Sequence, residues 1–199
     1  MDLNNLLYNQ RHDILPQRGS LLIADPMMEE LYFKRSVVMI LDDDTIEGGQ
    51  LGLTLNKATN LTLHDITPGW KKGFEVPIYC GGPVDMGRLF LLHTLGDIFR
   101  NSTEVSDGIY IGGDFNDIID YIEGGEKIEG KLRFFLGYSG WSAGQLAGEI
   151  DSHTWAVNTS PVSKGLLQGE ENEFWRREVE NLGEAYRSWL MVPQNPAYN

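Results

Sequence analysis

The sequence is poor in cysteine and in basic residues, and both shortages exclude classes of protein. Its one cysteine, Cys80, cannot form an internal disulfide, and no cysteine-based metal cluster can be assembled from it. Lysine and arginine number 16 against 29 aspartate and glutamate residues, so the formal charge is −13. A surface of this sign repels phosphate backbones and anionic lipids at long range. The composition therefore argues against a protein that grips nucleic acid over a broad surface.

Long apolar runs are also missing. The longest is Val37–Leu41, which is far too short to cross a membrane. The opening residues, MDLNN, lack the basic and apolar regions of a secretory signal peptide. A cytoplasmic location is the resulting expectation, and the single cysteine agrees with a reducing compartment.

The apolar residues that are present suffice for one core. A chain of 199 residues that is 41% hydrophobic fits a single domain. The polarity of the two ends predicts an N-terminal arm at residues 1–18, one domain at 19–191 and a C-terminal tail at 192–199.

Strand patterns dominate the first half of the chain, and helical patterns dominate its end. Apolar and β-branched runs predict strands at residues 19–24, 36–41, 50–55, 78–80, 89–93, 109–111, 131–136 and 154–157. Helices are predicted after Asp114, over 141–150 and near 171–191. The last is a long amphipathic helix with one apolar stripe, formed by Trp175, Val179, Leu182, Tyr186 and Trp189. This distribution predicts the α+β class.

One segment has the spacing of a catalytic motif. Residues 140–144 read GWSAG, which matches the G-x-S-x-G turn of serine hydrolases, between a predicted strand and a predicted helix. A nucleophilic serine needs a histidine base and an acid that orients it. Downstream of Ser142 there is only His153, with Asp151 two residues before it, and these would have to pair within one short loop. We therefore favour a glycine-rich turn, keep a hydrolase that uses Ser142 as the alternative, and assign no catalytic residue.

Metal and phosphate motifs give weaker signals. The four histidines are scattered, and no two lie three or four residues apart, so no metal site is predicted. The Gly81-Gly82 pair has two open interpretations: a nest of backbone N–H groups that binds an anion, or a tight bend between strands.

Several segments, taken in order, resemble the YqgE/AlgH family of bacterial proteins. They are residues 19–24 (GSLLIA), 33–38 (FKRSVV), 52–57 (GLTLNK), 81–84 (GGPV), 89–93 (LFLLH) and 137–146 (GYSGWSAGQL), followed by Glu149 and Trp155. The resemblance implies a single compact α+β domain whose twisted, mixed or antiparallel, partly barrel-like sheet is flanked by helices. That family is often labelled a transcriptional regulator, and no reaction is firmly attached to it.

The sequence departs from the family pattern at two places. Lys57-Ala58 stands where the family usually has a proline, and Ser142 stands where it commonly has a small residue, often glycine. The second departure argues further against Ser142 as a nucleophile.

The polar and glycine members of the matched segments are the candidate ligand-binding residues, because strand ends and glycine-rich turns often converge on clefts. They are Asn56, Gly81, Gly82, His93, Gln145 and Glu149. The open alternative is that these groups satisfy backbone atoms within the fold. The predicted function is regulation through a small ligand or a protein partner without direct DNA binding, and no cofactor is expected.

Overall fold

One sheet organises the residues that the computed structural model describes, which are 15–41, 48–67, 75–160, 164–169 and 171–194. Its ten strands are β1 (Leu21–Ala24), β2 (Val37–Leu41), β3 (Gln50–Thr54), β4 (Ala58–Thr62), β5 (Pro77–Cys80), β6 (Val84–His93), β7 (Ser102–Ser106), β8 (Ile109–Gly112), β9 (Leu132–Trp141) and β10 (Trp155–Asn158). They follow the order β10-β1-β2-β3-β9-β6-β8-β7, with β5 paired to β9 and β4 paired to β5. Every pair is antiparallel except β5 with β9.

Helices alternate with the later strands. The described α-helices are α1 (Leu63–Ile66), α2 (Phe115–Glu123), α3 (Gln145–Asp151) and α4 (Glu171–Asn181). Short 3-10 helices cover Lys164–Leu167 and Glu184–Met191. The α+β class predicted from the sequence is confirmed.

Strand β9 joins the two halves of the sheet. On one edge it pairs with β6 up to Leu136 and, after a register shift, at Tyr138. On the other edge it pairs with β5 up to Leu136 and with β3 from Ser139 onward. Between these pairings lies Gly137, with φ of 68°. A left-handed residue inside a strand costs least when it is glycine, and it re-aims the strand. The change of partners therefore occurs where the backbone can bend.

Strands β1 and β2 are buried on both faces, which explains their unbroken apolar sequences. Leu21 and Ile23 pack in one cluster with Trp175 of α4, whereas Leu22 packs in another with Leu146 of α3. Successive side chains of a strand point to opposite faces, so α4 and α3 cover opposite sides of this part of the sheet.

Helix α3 positions two of the candidate residues. It begins after Gly144, whose φ is 77°, and buries Leu146 and Ile150. Gln145 and Glu149 are four residues apart and so lie one turn apart along the helix, beside the buried stripe. Their side chains line a cleft described below.

The predicted long C-terminal helix is divided in two. The α-helix ends at Asn181, and Gly183, with φ of 95°, separates it from the 3-10 helix at Glu184–Met191. Trp175 and Trp189 still stack with ring centroids 6.5 Å apart. The predicted apolar residues thus pack together, although they lie on two helical segments and not on one continuous helix.

Other boundaries also differ from the sequence predictions. The strand predicted at 131–136 continues to Trp141, so residues 137–141 belong to β9 and the turn begins at Ser142. Strands β4 and β7 were not predicted. Residues 1–14 of the predicted arm and 195–199 of the predicted tail lie outside the described residues.

Gly148 provides a test of α3. It lies at the centre of the helix, and a Cβ built on it would meet no atom within 4 Å. Glycine in a helix interior costs about 0.5–1 kcal/mol relative to alanine. We expect Gly148→Ala to raise the free energy of unfolding by about this amount, measured by urea denaturation. Gly144→Ala is the control: it also adds a methyl group in open space, but at a φ of 77°, and should lower stability. Equal effects of the two changes on stability would contradict the placement of Gly148 inside α3 and of Gly144 at a left-handed position before it.

Candidate functional site

A cleft of about 530 Å³ opens beside α3, between the β1–β2 connection and the ends of β9 and β10. Its ionisable lining residues are four carboxylates and one histidine: Asp25, Glu29, Glu30, Glu149 and His153. Neither lysine nor arginine is among the described residues that line it. The cleft therefore concentrates negative charge.

Glu149 lies at the centre of a hydrogen-bond network in this cleft. Its Oε2 accepts hydrogen bonds from the indole Nε1 of Trp141 and of Trp155, both at 2.8 Å. Its Oε1 accepts one from Nε2 of Gln145 at 2.9 Å. The two indoles are 4% and 2% exposed, so buried donors hold the carboxylate in one orientation.

Gln145 extends the network to the GWSAG turn. Its Oε1 accepts hydrogen bonds from the backbone N–H and from Oγ of Ser142, both at 3.1 Å. The Ser142 hydroxyl is thus hydrogen-bonded to a neutral amide, which cannot act as a general base. This geometry gives the hydrolase alternative no support and explains the motif as a turn that precedes α3.

Asp25 fixes the other side of the cleft. It is 4% exposed, and its Oδ1 accepts a hydrogen bond from the Met27 N–H at 2.6 Å. Its own N–H donates to the Thr154 carbonyl at 3.0 Å, which ties the β1–β2 connection to the start of β10. Glu29 and Glu30 are exposed on the same connection.

The cleft also has an apolar wall. Phe33 meets Trp155 edge-on, with ring centroids 5.6 Å apart, and Trp155 meets Trp141 at 6.2 Å. Met27, which is 59% exposed, and Pro83 also line the cleft. A ligand that enters would meet carboxylates and apolar groups together.

Asn56 lies elsewhere and is completely buried. Its Oδ1 accepts a hydrogen bond from the Val37 N–H at 2.9 Å. Its Nδ2 donates to the carbonyls of Arg35 at 2.9 Å and Glu171 at 2.8 Å. The side chain therefore ties β2 to the beginning of α4.

His93 is also completely buried, at the end of β6. Its Nδ1 accepts a hydrogen bond from the Leu95 N–H at 3.1 Å, and its Nε2 lies 3.1 Å from Oγ of Ser102. The Ser102 hydroxyl donates to the Phe99 carbonyl at 2.8 Å. The neutral ring with its proton on Nε2 satisfies all three contacts.

A pH titration tests this assignment. Burial lowers the pKa of His93 from its usual 6.5 to about 4. Between these values the unfolded chain binds more protons than the folded protein, so this group lowers stability as the pH falls from 6.5 towards 4. NMR of the His93 imidazole protons should show no titration step near 6.5. A His93→Asn variant should lose the corresponding pH dependence of the urea midpoint, and a ring that titrates near 6.5 would contradict the assignment.

Gly81 and Gly82 form a close crossing of the β5–β6 bend over β9. The Gly81 N–H donates to the Leu136 carbonyl, and its own carbonyl accepts from the Thr54 N–H. A Cβ at Gly82 would overlap the backbone of Tyr138 and Ser139. Because β9 fills the space beside Gly82, the structure supports a tight bend between strands at Gly81-Gly82 and not a nest that binds an anion.

The structure therefore divides the predicted set. It brings Gln145 and Glu149 together in one cleft, while Asn56, His93 and the glycine pair lie apart in internal contacts. The expectation that all six would line one site is corrected, because the buried members satisfy partners within the fold. The acidic residues of the β1–β2 connection were missed, although their position directly after a buried strand was a usable signal.

The fold and the site together define an α+β domain that has a ten-stranded sheet and an acidic cleft. Residues 21–187 match the family described as AlgH-like (DUF179), and the chain belongs to that family. A UPF0301 protein of Parabacteroides distasonis is 40% identical over 196 residues, 98% of each chain. Another from Bacteroides thetaiotaomicron is 39% identical over 190 residues, 96% of this chain and 95% of the relative.

Solved structures agree on the fold. The solution structure of the AlgH protein from Pseudomonas aeruginosa matches with a TM-score of 0.66 at 24% identity, covering 91% of this chain and 98% of that one. A crystal structure of a Corynebacterium diphtheriae protein matches with a TM-score of 0.70 at 21% identity, covering 95% and 98%. Within the described ranges, every helix is too short or too polar to pass through a lipid bilayer.

Proposed function

We propose that this AlgH-like protein is a binding module whose acidic cleft takes a cationic group, and that it regulates through that ligand or partner. The observation that carries the proposal is the lining of the cleft: four carboxylates, without a lysine or arginine among the described residues. Such a surface attracts ammonium and guanidinium groups and repels phosphates.

The chemistry of the cleft favours an organic cation over a metal ion. No group of three or more histidine, cysteine, aspartate and glutamate residues in the described part of the chain is placed to hold a metal. Both oxygens of Glu149 already accept hydrogen bonds from N–H donors. The wall near Phe33 and Met27 suits the methylene stem of a lysine, an arginine or a polyamine.

The same charge bears on the regulator label of the family. A DNA-binding protein gains affinity by neutralising phosphates with lysine and arginine, and this chain carries a formal charge of −13. We therefore propose that any effect on transcription passes through a ligand or a protein partner. Gel shifts at low salt should show no retardation of duplex DNA; a retarded band that disappears as salt rises would contradict this.

Two probes test the cleft and separate the two sources of a cationic group. Spermidine represents a small ligand, and a short arginine-containing peptide represents a partner protein. Titrations followed by ¹H–¹⁵N NMR should shift the resonances of the cleft residues. The double variant Glu29→Gln/Glu30→Gln should weaken binding about fivefold, since each ion pair between an exposed carboxylate and the ligand contributes up to about 1 kcal/mol.

The matched control is Glu126→Gln, which removes one carboxylate from an exposed position outside the cleft. Binding of spermidine alone would indicate a small-molecule ligand, and binding of the peptide alone would indicate a protein partner. If neither probe shifts the cleft resonances, or if Glu126→Gln weakens binding as much per charge removed, the cleft is not a cation site.

A further inference from the structure

A second cavity, of about 300 Å³, carries charge of the opposite sign. The described residues that line it include three cations, Lys34, Arg35 and Lys57, and one carboxylate, Glu171. The ionisable lining side chains thus carry a formal charge of +2, within a chain whose total is −13. Such a concentration of basic residues in an acidic protein calls for a physical explanation.

Arg35 is built into the wall of this cavity. It is 4% exposed, and its guanidinium lies 4.5 Å from the centre of the Trp175 ring. Nη1 donates to Oδ1 of Asn172 at 2.8 Å, and Nη2 donates to the Val192 carbonyl at 2.6 Å. Both acceptors are neutral, and Nε is buried without an acceptor in the described residues. The positive charge is thus held in place by groups that do not neutralise it.

The backbone at Arg35 indicates the same constraint. Its φ is 52°, a conformation that is uncommon for a residue with a side chain. Asn56 Nδ2 holds the Arg35 carbonyl at 2.9 Å, and the Ser36 N–H donates to the Phe33 carbonyl at 2.9 Å. The surrounding structure therefore maintains an unfavourable conformation that places the guanidinium beside the cavity.

Lys57 adds a second fixed cation. It is half-buried, and its Nζ donates to the Lys34 carbonyl at 2.7 Å. Burial lowers the pKa of this ammonium, and the nearby charge of Glu171 opposes the shift. An ammonium has three N–H donors, and this carbonyl uses one of them. Lys34 brings a third cation to the same cavity.

We propose that this pocket binds the dianionic phosphate group of a small molecule. A formal charge of +2 on the lining matches a dianion, and lysine and arginine are the side chains that hold phosphate oxygens through charge-assisted hydrogen bonds. The volume of about 300 Å³ admits a phosphate with a small organic group. The pocket and the acidic cleft use different side chains, so this assignment does not depend on the proposed cleft ligand.

Inorganic phosphate and glycerol 3-phosphate are the probes, titrated at constant ionic strength and followed by ¹H–¹⁵N NMR. Saturable shifts should concentrate at the residues that line the pocket. Tighter binding of glycerol 3-phosphate would assign the site to an organic phosphate, and tighter binding of inorganic phosphate would assign it to the free ion.

Three variants distinguish a phosphate site from a basic surface. Lys57→Gln should weaken binding about tenfold, because it removes a half-buried cation. Glu171→Gln should tighten binding about threefold, because it removes the one carboxylate among the described lining residues. Its exposed side chain is not the part that holds Asn56, since that bond uses the Glu171 backbone carbonyl. Lys127→Gln, at a lysine that is 71% exposed and outside the pocket, should leave binding unchanged.

Weak shifts of equal size in all variants would mean an adventitious ion only and would overturn the proposal. So would a Glu171→Gln variant that binds no better than the parent protein. Because Lys57→Gln should leave spermidine and peptide binding unaltered, failure of this pocket and failure of the acidic cleft give separate results.

Discussion

Gly82→Ala is expected to prevent the chain from folding, with a loss of more than about 4 kcal/mol of unfolding free energy. A Cβ at this position would overlap the carbonyl carbon and oxygen of Tyr138 and the amide nitrogen of Ser139. All three are backbone atoms of β9, so no side-chain rotation can relieve the overlap. The neighbouring Gly81 is pinned between Leu136 and Thr54 by backbone hydrogen bonds of 2.8 and 2.7 Å, which leaves the bend little room to move away.

The measurement is the yield of soluble protein and its circular dichroism, compared with those of Gly87→Ala. At Gly87 the nearest atom to an added Cβ is Oδ1 of Asp85 at 3.8 Å, an ordinary contact. Both changes add one methyl group to a glycine of the same region. A Gly82→Ala protein that melts with the parent would show that the two backbones do not cross this closely.

Glu149→Leu is expected to lower the free energy of unfolding by about 3 kcal/mol. Leucine leaves the indole N–H groups of Trp141 and Trp155 without their acceptor, and both rings are almost fully buried. A buried donor that loses its partner costs about 1–3 kcal/mol, and two are affected here. Urea denaturation followed by tryptophan fluorescence measures the change directly.

Glu149→Gln separates the charge of this side chain from its hydrogen bonds. Glutamine keeps an oxygen that can accept from one or both indoles, so it should cost about half as much as leucine. Both variants should weaken binding of a cation in the cleft. A leucine variant as stable as the parent would mean that the indoles are satisfied in another way.

The sequence predicted best those strands that are apolar along their whole length. β1 and β2 were placed within two residues of their observed ends, because burial on both faces leaves an unbroken apolar run. β3 was placed as closely from its alternation of apolar with small or polar residues. The start of α2 was also predicted, since the Asp114 side chain caps the helix by accepting from the Asn116 N–H.

Strands defined by their partners escaped prediction. β4 and β7 are polar and largely exposed, and they are strands because β5 and β8 pair with them. The first half of β6 is also exposed, and this strand was predicted only from Leu89 onward. The apolar residues of the C-terminal stripe keep a helical period across Gly183, because the α-helix and the 3-10 helix pack against the same core. The sequence pattern therefore did not show that the α-helix ends before Gly183.

For the candidate site, the sequence predicted residues that lie close together through local helical spacing. It did not predict contacts between residues that are far apart in the chain. Gln145 and Glu149 lie one helical turn apart, which the sequence shows. Asn56 is satisfied by the Arg35 carbonyl, 21 residues earlier, and by the Glu171 carbonyl, 115 residues later. No short-range pattern distinguishes such a buried polar residue from one that faces a ligand.

The pairing of β1 with β10 has a consequence for how the chain is made. Leu21 lies opposite Asn158, so one edge of β1 has no strand beside it until most of the protein has been synthesised. At about 5–20 residues per second, the ribosome needs roughly 7 to 27 seconds to add the intervening segment. During that time the apolar strand Leu21–Ala24 presents an open edge that can join another nascent chain. We therefore expect aggregation to compete with folding mainly while the protein is still on the ribosome, and chains stalled before Trp155 to be the species most dependent on chaperones.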